Sequence, residues 1–305
     1  MARIVREDIH LGTVEGVATD LTAEHWMRTE DDTANHHCLR SEFVRRLVQS
    51  EPDDTEADIG QRNQPPKVVV QYWHNLRLLP ADVNECIASW RSLEGHGFSH
   101  EMFDEASAKQ FIAASLGDPF VESFNRCYHP AMQSDYFRLC YLYVRGGFYV
   151  DADDVWTGTS FESLFEDARL KLNPLCYDMS SSSMVAPNRF LPKTSFDQNW
   201  IFYFNNNPLV SGARHPIVRH ALARATKNLR KSSRSDLPEI QSTTGPGNLT
   251  RSVFELAEAF PAVLRSLRVS PEWESIAVSR WPLSYRSDLR NWRNCNQRHF
   301  EKSEL

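Results

Sequence analysis

The chain has 305 residues, of which 41% are hydrophobic, and this excludes a protein that is disordered throughout. The net charge of −6 and the mean hydropathy of −0.49 are ordinary for a globular protein, but the charge is unevenly spread. Acidic and basic residues number 14 and 7 in 1–65, 17 and 11 in 66–210, and 9 and 16 in 211–305. This pattern excludes a uniformly basic nucleic-acid-binding protein and leaves room for an anion site in the last third.

No apolar stretch approaches 18 residues, so the sequence predicts no transmembrane segment. The first twenty residues lack the apolar centre of a secretory signal. The six cysteines are scattered and form no C-x-x-C pair, which favours reduced thiols and argues against zinc. We therefore expect a cytoplasmic protein, with membrane contact limited to the periphery.

The chain divides at a polar, proline-containing linker near residue 65. Residues 1–65 are predicted to form an acidic N-terminal extension, partly helical around Phe43 to Val48. Residues 66–305 are predicted to form the main domain. Its N-terminal element is the β-branched and aromatic run Val68 to Trp73, which is typical of a buried strand.

The main domain alternates between helical and strand patterns. One predicted helix starts at Pro80. The others cover Asp104 to Leu116, Ala131 to Val144, Pro216 to about Lys231, and Leu249 to Phe260. Short strands are predicted at Phe148 to Val150 and Trp200 to Phe204. This alternation predicts an α/β fold with a central sheet.

Asp151 and Asp153 follow the predicted strand Phe148 to Val150. If the strand continued, alternate side chains would share a face and the two carboxylates would point to one place. Ligands in open α/β sheets bind at the carboxyl ends of strands, and two such oxygens suit Mg²⁺ or Mn²⁺. The alternative is that the two acids only end the strand and cap a following helix.

Asp135 and Arg138 lie three residues apart on the helix that leads into this strand, so they can form an ion pair on one helix face. The pair is either a surface salt bridge or a part of the site that binds sugar hydroxyls. With Ser134 ahead of it and Gly146-Gly147-Phe148-Tyr149 after it, the segment has the pattern S-D-x-x-R-x-x-x-L-x-x-x-G-G-x-Y-x-D-x-D.

This segment resembles the DXD sugar-binding region of family 32 glycosyltransferases, which include yeast initiating α-1,6-mannosyltransferases and bacterial polysaccharide enzymes. The large clostridial glucosylating toxins share the pattern more distantly. Two further stretches are similar to landmarks of that family: Pro66 to Trp73, and Asn205 to Pro216 with Thr244-Gly245-Pro246. The similarity covers about residues 66–264.

The resemblance implies a GT-A fold, a Rossmann-like mixed sheet with helices on both faces. It also implies a retaining transfer of a hexose from a nucleotide-sugar, most simply a UDP-sugar, with Mn²⁺ or Mg²⁺. The acceptor would be a saccharide or a glycolipid. Carried over to this sequence, the implied catalytic residues are Asp151, Asp153, Asp135 and Arg138, the donor-binding residues Trp73, Ser134, Tyr149 and Asp151, and the metal ligands Asp151 and Asp153.

The sequence departs from the family pattern at Val70, where a histidine is frequent, and it lacks the usual C-terminal histidine–tryptophan ending. Asp154 is either a third metal ligand or the cap of a following helix, and the cap is favoured. Trp281, Ser284 and Tyr285 lie where some relatives carry a loop that closes on the donor. Polar residues 197–199 and 205–207 are expected on the acceptor side.

Three other interpretations remain open. A haloacid-dehalogenase-type phosphohydrolase also has a D-x-D-x-V string after an apolar strand, but its motif lies near the start of the catalytic domain. A non-catalytic nucleotide-sugar binder would share the fold. A toxin-like enzyme would keep the chemistry and transfer the sugar to a protein.

Overall fold

The computed structural model describes residues 34–50, 64–232, 237–280 and 282–298. The helices in this part of the chain are α1 (Ala34–Gln49), α2 (Ala81–Arg91), α3 (Glu105–Ser115), α4 (Asp118–Asn125), α5 (Pro130–Arg145), α6 (Pro187–Phe190), α7 (Pro216–Lys231), α8 (Ile240–Thr243), α9 (Pro246–Ala259), α10 (Trp273–Ile276) and α11 (Trp292–Cys295). The strands are β1 (Val68–Tyr72), β2 (Ser99–Phe103), β3 (Gly147–Tyr149), β4 (Asp154–Trp156), β5 (Leu170–Asp178), β6 (Ser183–Met184), β7 (Trp200–Ser211), β8 (Leu267–Val269) and β9 (Ala277–Ser279).

Seven of the described strands form one mixed sheet, in the order β2-β1-β3-β7-β5-β6 with β8 also paired to β5. Strand β1 is parallel to both β2 and β3, whereas β7 is antiparallel to β3 and to β5. Strands β4 and β9 form a separate antiparallel pair. The predicted α/β class with a mixed central sheet is confirmed.

Helices cover both faces of the sheet. Successive residues of each strand point to opposite faces, so each strand contributes to both layers. Val70 and Tyr149 face a large apolar layer that includes residues of α3, α4, α5, α7 and α9. Val69 and Phe148 face a second layer built around Trp90 of α2 and residues near α10. A sheet buried on both faces explains why β1 and β3 are mostly apolar in the sequence, with the buried Gln71 as the polar exception in β1.

Helix α1, the described part of the predicted N-terminal extension, packs on β7 and α9. Val44 is fully buried and belongs to the same apolar layer as α5 and α7. Gln49, at the end of the helix, donates from Nε2 to the backbone carbonyls of Phe190 and Ser195 at 2.9 and 2.8 Å. The extension therefore contributes to the core of the main domain. The acidic runs before residue 34 and at 51–58 lie outside the described residues.

A tight glycine turn joins α5 to β3. Gly146 has a φ of +70°, and a Cβ there would lie 2.7 Å from the backbone nitrogen of Ala213 and 2.7 Å from the carbonyl oxygen of Ser211. Only glycine fits this combination of conformation and contact. The turn matters for the site because it sets where β3, and the acids after it, lie relative to α5.

The predicted helices are confirmed within one to three residues at their ends, and the structure adds strands β2 and β5, which the sequence did not signal. Strand β7 is longer than the predicted Trp200 to Phe204, since it continues through Asn205 to Asn207 and ends at Ser211. None of the helices in the described part of the chain is both long and apolar enough to cross a membrane.

Candidate active site

The guanidinium group of Arg138 organises the side of the site that is built on α5 and β3. It donates from Nη2 to Asp151 Oδ1 at 2.7 Å and to Ser134 Oγ at 3.1 Å, and from Nη1 to the carbonyl of Asn206. It also lies over the ring of Tyr149, with its Cζ atom 4.5 Å from the ring centroid. The side chain is only 2% exposed, so these partners fix it in one position.

Asp135 is paired with Arg138 and is largely buried, with 11% of its side chain exposed. Its Oδ1 is 3.2 Å from Arg138 Nη2 and accepts a hydrogen bond from Asn206 Nδ2 at 2.7 Å, while Oδ2 accepts one from the hydroxyl of Thr244 at 3.2 Å. Burial raises the pKa of Asp135, and the charge of Arg138 opposes that rise. The expected ion pair is present, but it is buried, and this arrangement lets Asp135 orient Arg138.

The acidic motif itself forms a turn, which corrects the geometry expected from the sequence. Strand β3 ends at Tyr149, and residues 151–153 lie between it and β4. The alternation of a strand therefore does not set the positions of the two carboxylates. Ala152 points inward and packs beside Trp73, and the Asp153 charge contributes to a raised pKa of Asp151. The two acids are neighbours because of the turn.

Asp153 is held from the C-terminal part of the chain. Its Oδ2 accepts a hydrogen bond from the hydroxyl of Tyr285 at 2.7 Å and also pairs with Arg286 Nη2. Both residues lie on a 3₁₀ turn, Ser284–Ser287. Ser284 fixes the start of this turn, since its backbone N–H and its hydroxyl donate to the carboxylate of Asp82 at 2.6 and 3.0 Å.

Asp154 is not a helix cap, because it is the first residue of β4 and is only 4% exposed. Its Oδ2 accepts a hydrogen bond from Asn207 Nδ2 at 2.8 Å, and Asn207 Oδ1 accepts one from the backbone N–H of Asp151, also at 2.8 Å. Burial, and then the charges of Asp153 and Asp151, raise the pKa of Asp154 to about 8. Burial likewise raises the pKa of Asp151 to about 6, against the charge of Arg138.

The three predicted donor-binding residues beside the acids lie close to them and are largely covered. Tyr149 is fully buried, and its hydroxyl is 2.7 Å from that of Ser134. Trp73 is 8% exposed, and the ring of Tyr285 meets it edge-on with the centroids 5.2 Å apart. Trp281 lies outside the described residues. The structure thus brings Trp73, Ser134 and Tyr149 to the acidic motif, with Tyr285 over Trp73.

The balance of charge favours a cation. Four carboxyl groups meet here with two guanidinium groups, and they belong to Asp135, Asp151, Asp153, Asp154, Arg138 and Arg286. In the described part of the chain no three His, Cys, Asp or Glu side chains are arranged to hold a metal ion alone. Hard carboxylate oxygens fit Mg²⁺ or Mn²⁺, which keep several positions for water and phosphate. A cation would thus take Asp153 and Asp151 with most ligands from a diphosphate.

Sequence reasoning missed Arg286, Asp82 and Gln71. Gln71 donates from Nε2 to the carbonyl of Asp151 at 3.2 Å. No local pattern marks these residues, and the positive charge of the last third was the only available signal for Arg286. Asn207, which was expected on the acceptor side, also supports the acidic motif directly.

Two solved structures are similar to this chain at a distance. One is described as "PaToxG Glycosyltransferase", with 15% identity, coverage of 74% of this chain and 76% of that chain, and a TM-score of 0.40. The other is the UDP-bound glycosyltransferase domain from the YGT toxin, with 11% identity, coverage of 62% and 54%, and a TM-score of 0.31. Both similarities are too distant to indicate the function of this chain. No curated protein matches the chain.

Residues 80–170 match the family model described as "Glycosyltransferase sugar-binding region containing DXD motif". The matched stretch contains α5, the glycine turn, β3 and the three acids of the site. It is therefore similar to the sugar-binding region of DXD glycosyltransferases, and the interpretation of this chain as a glycosyltransferase is confirmed.

Proposed function

We propose that the chain transfers a hexose from a nucleotide-sugar, most simply a UDP-sugar, to an acceptor hydroxyl with retention of configuration, in a reaction that needs Mn²⁺ or Mg²⁺. One observation carries the proposal: the two motif carboxylates lie side by side after the central strand β3, each held by an arginine. Residues 66–305 would form the catalytic domain, with α1 as part of its core.

The chain's own residues would bind and orient the donor. Arg138, fixed by Asp135 and Ser134, holds Asp151 in place, so Asp151 Oδ2 can accept from a donor hydroxyl. Asp153 is the proposed direct ligand of the cation, and Trp73 the proposed stacking surface for the base. When bound, the cation would stabilise the charge of the departing diphosphate.

Retention fits attack on the same face of the sugar from which the diphosphate leaves. The bond between the anomeric carbon and the phosphate oxygen breaks, and the bond to the acceptor oxygen forms on that face. The acceptor's proton passes to the phosphate oxygen that has left. No protein nucleophile is needed in this scheme, and the buried Arg138 supplies fixed positive charge.

The acceptor would approach along one face of β7 and β5. Asn207 and Asn205 share this face with Tyr203 and Ile201, because the residues alternate along β7, and Phe202 and Phe204 are buried on the other face. Tyr177 lies beside Ile201 in the register of the two strands. Half-buried tyrosines next to amides are suited to sugar rings, which favours a saccharide or glycolipid acceptor.

A protein acceptor is the second candidate, because exposed aliphatic side chains extend the same surface. Ile201 is 41% exposed and Met184 is 49% exposed, and both lie in the row of Tyr177. Flexible methionine side chains are common at surfaces that bind protein segments. Labelled donor offered to a glycan array and to a cell lysate would separate the two, since a protein acceptor gives labelled bands that resist lipid extraction and glycosidases.

The donor is tested by thermal unfolding of the full chain with UDP-, GDP- and other sugar nucleotides, each with and without Mn²⁺. The correct donor, at a concentration 100-fold above its dissociation constant, should add about 2.7 kcal/mol to the free energy of unfolding, and only with the cation. Stabilisation by no sugar nucleotide would contradict the proposal. Binding of donor and Mn²⁺ with neither hydrolysis nor transfer would instead favour a non-catalytic binder.

A further inference from the structure

The turn Ser284–Ser287 occupies two places that the proposed function assigns to ligands. Its Arg286 contacts the carboxylate oxygen of Asp153 that would face a cation, and its Tyr285 covers Trp73, the proposed base-stacking residue. Tyr285 and Arg286 share the same oxygen of Asp153. A ligand cannot take either position while the turn stays where it is.

We propose that this turn is a strap that holds the site closed in the absence of ligands, with the guanidinium of Arg286 as the resident counter-ion of Asp153. A divalent cation and Arg286 then compete for the same carboxylate, and the turn moves when the cation and the nucleoside diphosphate bind. The inference rests on the proposed metal-dependent function and adds a closed state to it.

Charge supports the competition. Asp153 needs a positive partner, because its largely buried carboxylate lies beside the carboxyl groups of Asp151 and Asp154. The side chains of Asp153 and Arg286 are 16% and 11% exposed, so water only weakly replaces either partner. A second cation at the same oxygen would repel the guanidinium, and one of the two must leave.

The contacts at the two ends of the strap permit such a movement. Before it, the backbone N–H of Arg280 donates to the carbonyl of Asp153 at 3.2 Å, next to strand β9. After it, the carbonyl of Leu289 accepts from Nε2 of the buried His129 at 2.9 Å. Between these anchors, the strap contributes no strand to the main sheet. It is held at the site by contacts to Asp153, Trp73 and Asp82, and Arg286 Nη2 also donates to Ser279 Oγ at 3.3 Å.

The first experiment measures Mn²⁺ binding to the full chain without nucleotide, by the electron paramagnetic resonance signal of free Mn²⁺. Arg286→Gln should bind Mn²⁺ at least about threefold more tightly than the wild type. The reason is that a larger fraction of the molecules is then in the open state that can bind the cation. Arg286→Lys keeps the charge and should stay near the wild type. Asp153→Asn should lose binding, and Arg268→Gln, in an exposed ion pair away from the site, should change nothing.

The second experiment needs no variant. Amide hydrogen exchange of residues 282–288 in the wild type should accelerate at least about threefold when Mn²⁺ and UDP are added together. UDP without the cation should leave the exchange unchanged. A readout on the turn itself tests the movement even if Arg286→Gln folds poorly.

The outcomes separate the strap from the proposed function. Wild-type and Arg286→Gln proteins that bind Mn²⁺ equally, with exchange unaffected by ligands, would overturn the strap and leave metal-dependent transfer standing. Failure of both proteins to bind Mn²⁺, even with UDP, would overturn both proposals. Tighter binding by Arg286→Gln together with faster exchange would establish the strap.

Discussion

The site has two halves, and each places an arginine on one acid of the motif. In the first half, Arg138 comes from the helix that feeds the central strand and is enclosed by Asp151, Ser134 and Tyr149. In the second half, Arg286 comes from a short turn near the C-terminus and contacts Asp153. The site thus contains two arginine–aspartate pairs, one in the core and one at the edge of the core.

The difference in position between the two arginines indicates which part of the site is fixed. If Arg138 left, the buried carboxylate of Asp135 and the partly exposed carboxylate of Asp151 would both lose their partner. Arg286 can leave if another cation takes its place at Asp153. We therefore interpret the first half as the permanent frame for the sugar and the second as the part that responds to the cation and the diphosphate.

The largest expected effect comes from Asp153, where the two halves meet. Asp153→Asn removes the proposed cation ligand and should lower the rate of sugar transfer at least about 1,000-fold. The frame around Arg138 is untouched, so the free energy of unfolding should change by no more than about 1 kcal/mol. Transfer assays and urea unfolding measure the two quantities. Asp118→Asn, exposed at the start of α4, is the matched control, and full activity in Asp153→Asn would refute the assignment.

The next effect separates the two arginines by stability. Arg138→Met leaves the buried carboxylate of Asp135 and the partly exposed carboxylate of Asp151 without their partner. It should lower the free energy of unfolding by about 3–5 kcal/mol. Arg286→Met should lower it by about 1 kcal/mol, since the turn contributes little to the core. Urea unfolding at neutral pH compares them directly. Equal losses for the two variants would erase the distinction between a fixed and a displaceable half.

A smaller effect concerns pH and the helices behind the fixed half. Glu255 on α9 accepts hydrogen bonds from His220 and Arg224 of α7 at 3.0 and 2.9 Å. Burial raises its pKa, but the hydrogen bond from His220 and the charge of Arg224 outweigh this and lower the pKa to about 2. Because the folded pKa lies below the ordinary 4.5, the stabilisation is present above that pH and is lost as the pH falls toward 2.

Wild-type protein should therefore lose about 1 kcal/mol more stability than Glu255→Gln between neutral pH and pH 3.5. The measurement is urea unfolding at a series of pH values. Glu258→Gln, at an exposed position of the same helix, should follow the wild type. Parallel pH curves for wild type and Glu255→Gln would show that this network does not hold α7 to α9.

The smallest effect comes from one hydroxyl of the strap. Tyr285→Phe removes the hydrogen bond to Asp153 but keeps the ring against Trp73 and keeps Arg286. Mn²⁺ should bind slightly more tightly, by less than about threefold, because the carboxylate loses one hydroxyl donor while the guanidinium of Arg286 stays in place. Titration of Mn²⁺ against wild type, Tyr285→Phe and Arg286→Gln should rank the three in that order of increasing affinity.

The sequence by itself was enough to predict which residues lie together in the first half of the site. Ser134, Asp135 and Arg138 lie on one helix, and a glycine turn and a three-residue strand lead from it to Asp151. All of these follow from patterns within about twenty residues, because helix periodicity and turn chemistry are local. The α/β class followed for the same reason, as did most helix boundaries.

Tertiary structure decided the remainder. Arg286 lies 133 residues from Asp153, and Asn206 lies 71 residues from Asp135, so no local pattern links them. The turn at Asp151 to Asp153 replaced the expected strand because Ala152 finds its place in the apolar cluster beside Trp73. Helix α1 joined the core for a similar reason, since Val44 is buried only when β7 and α9 are present. Local patterns fix which elements form, whereas the partner of each charge depends on the packing of distant elements.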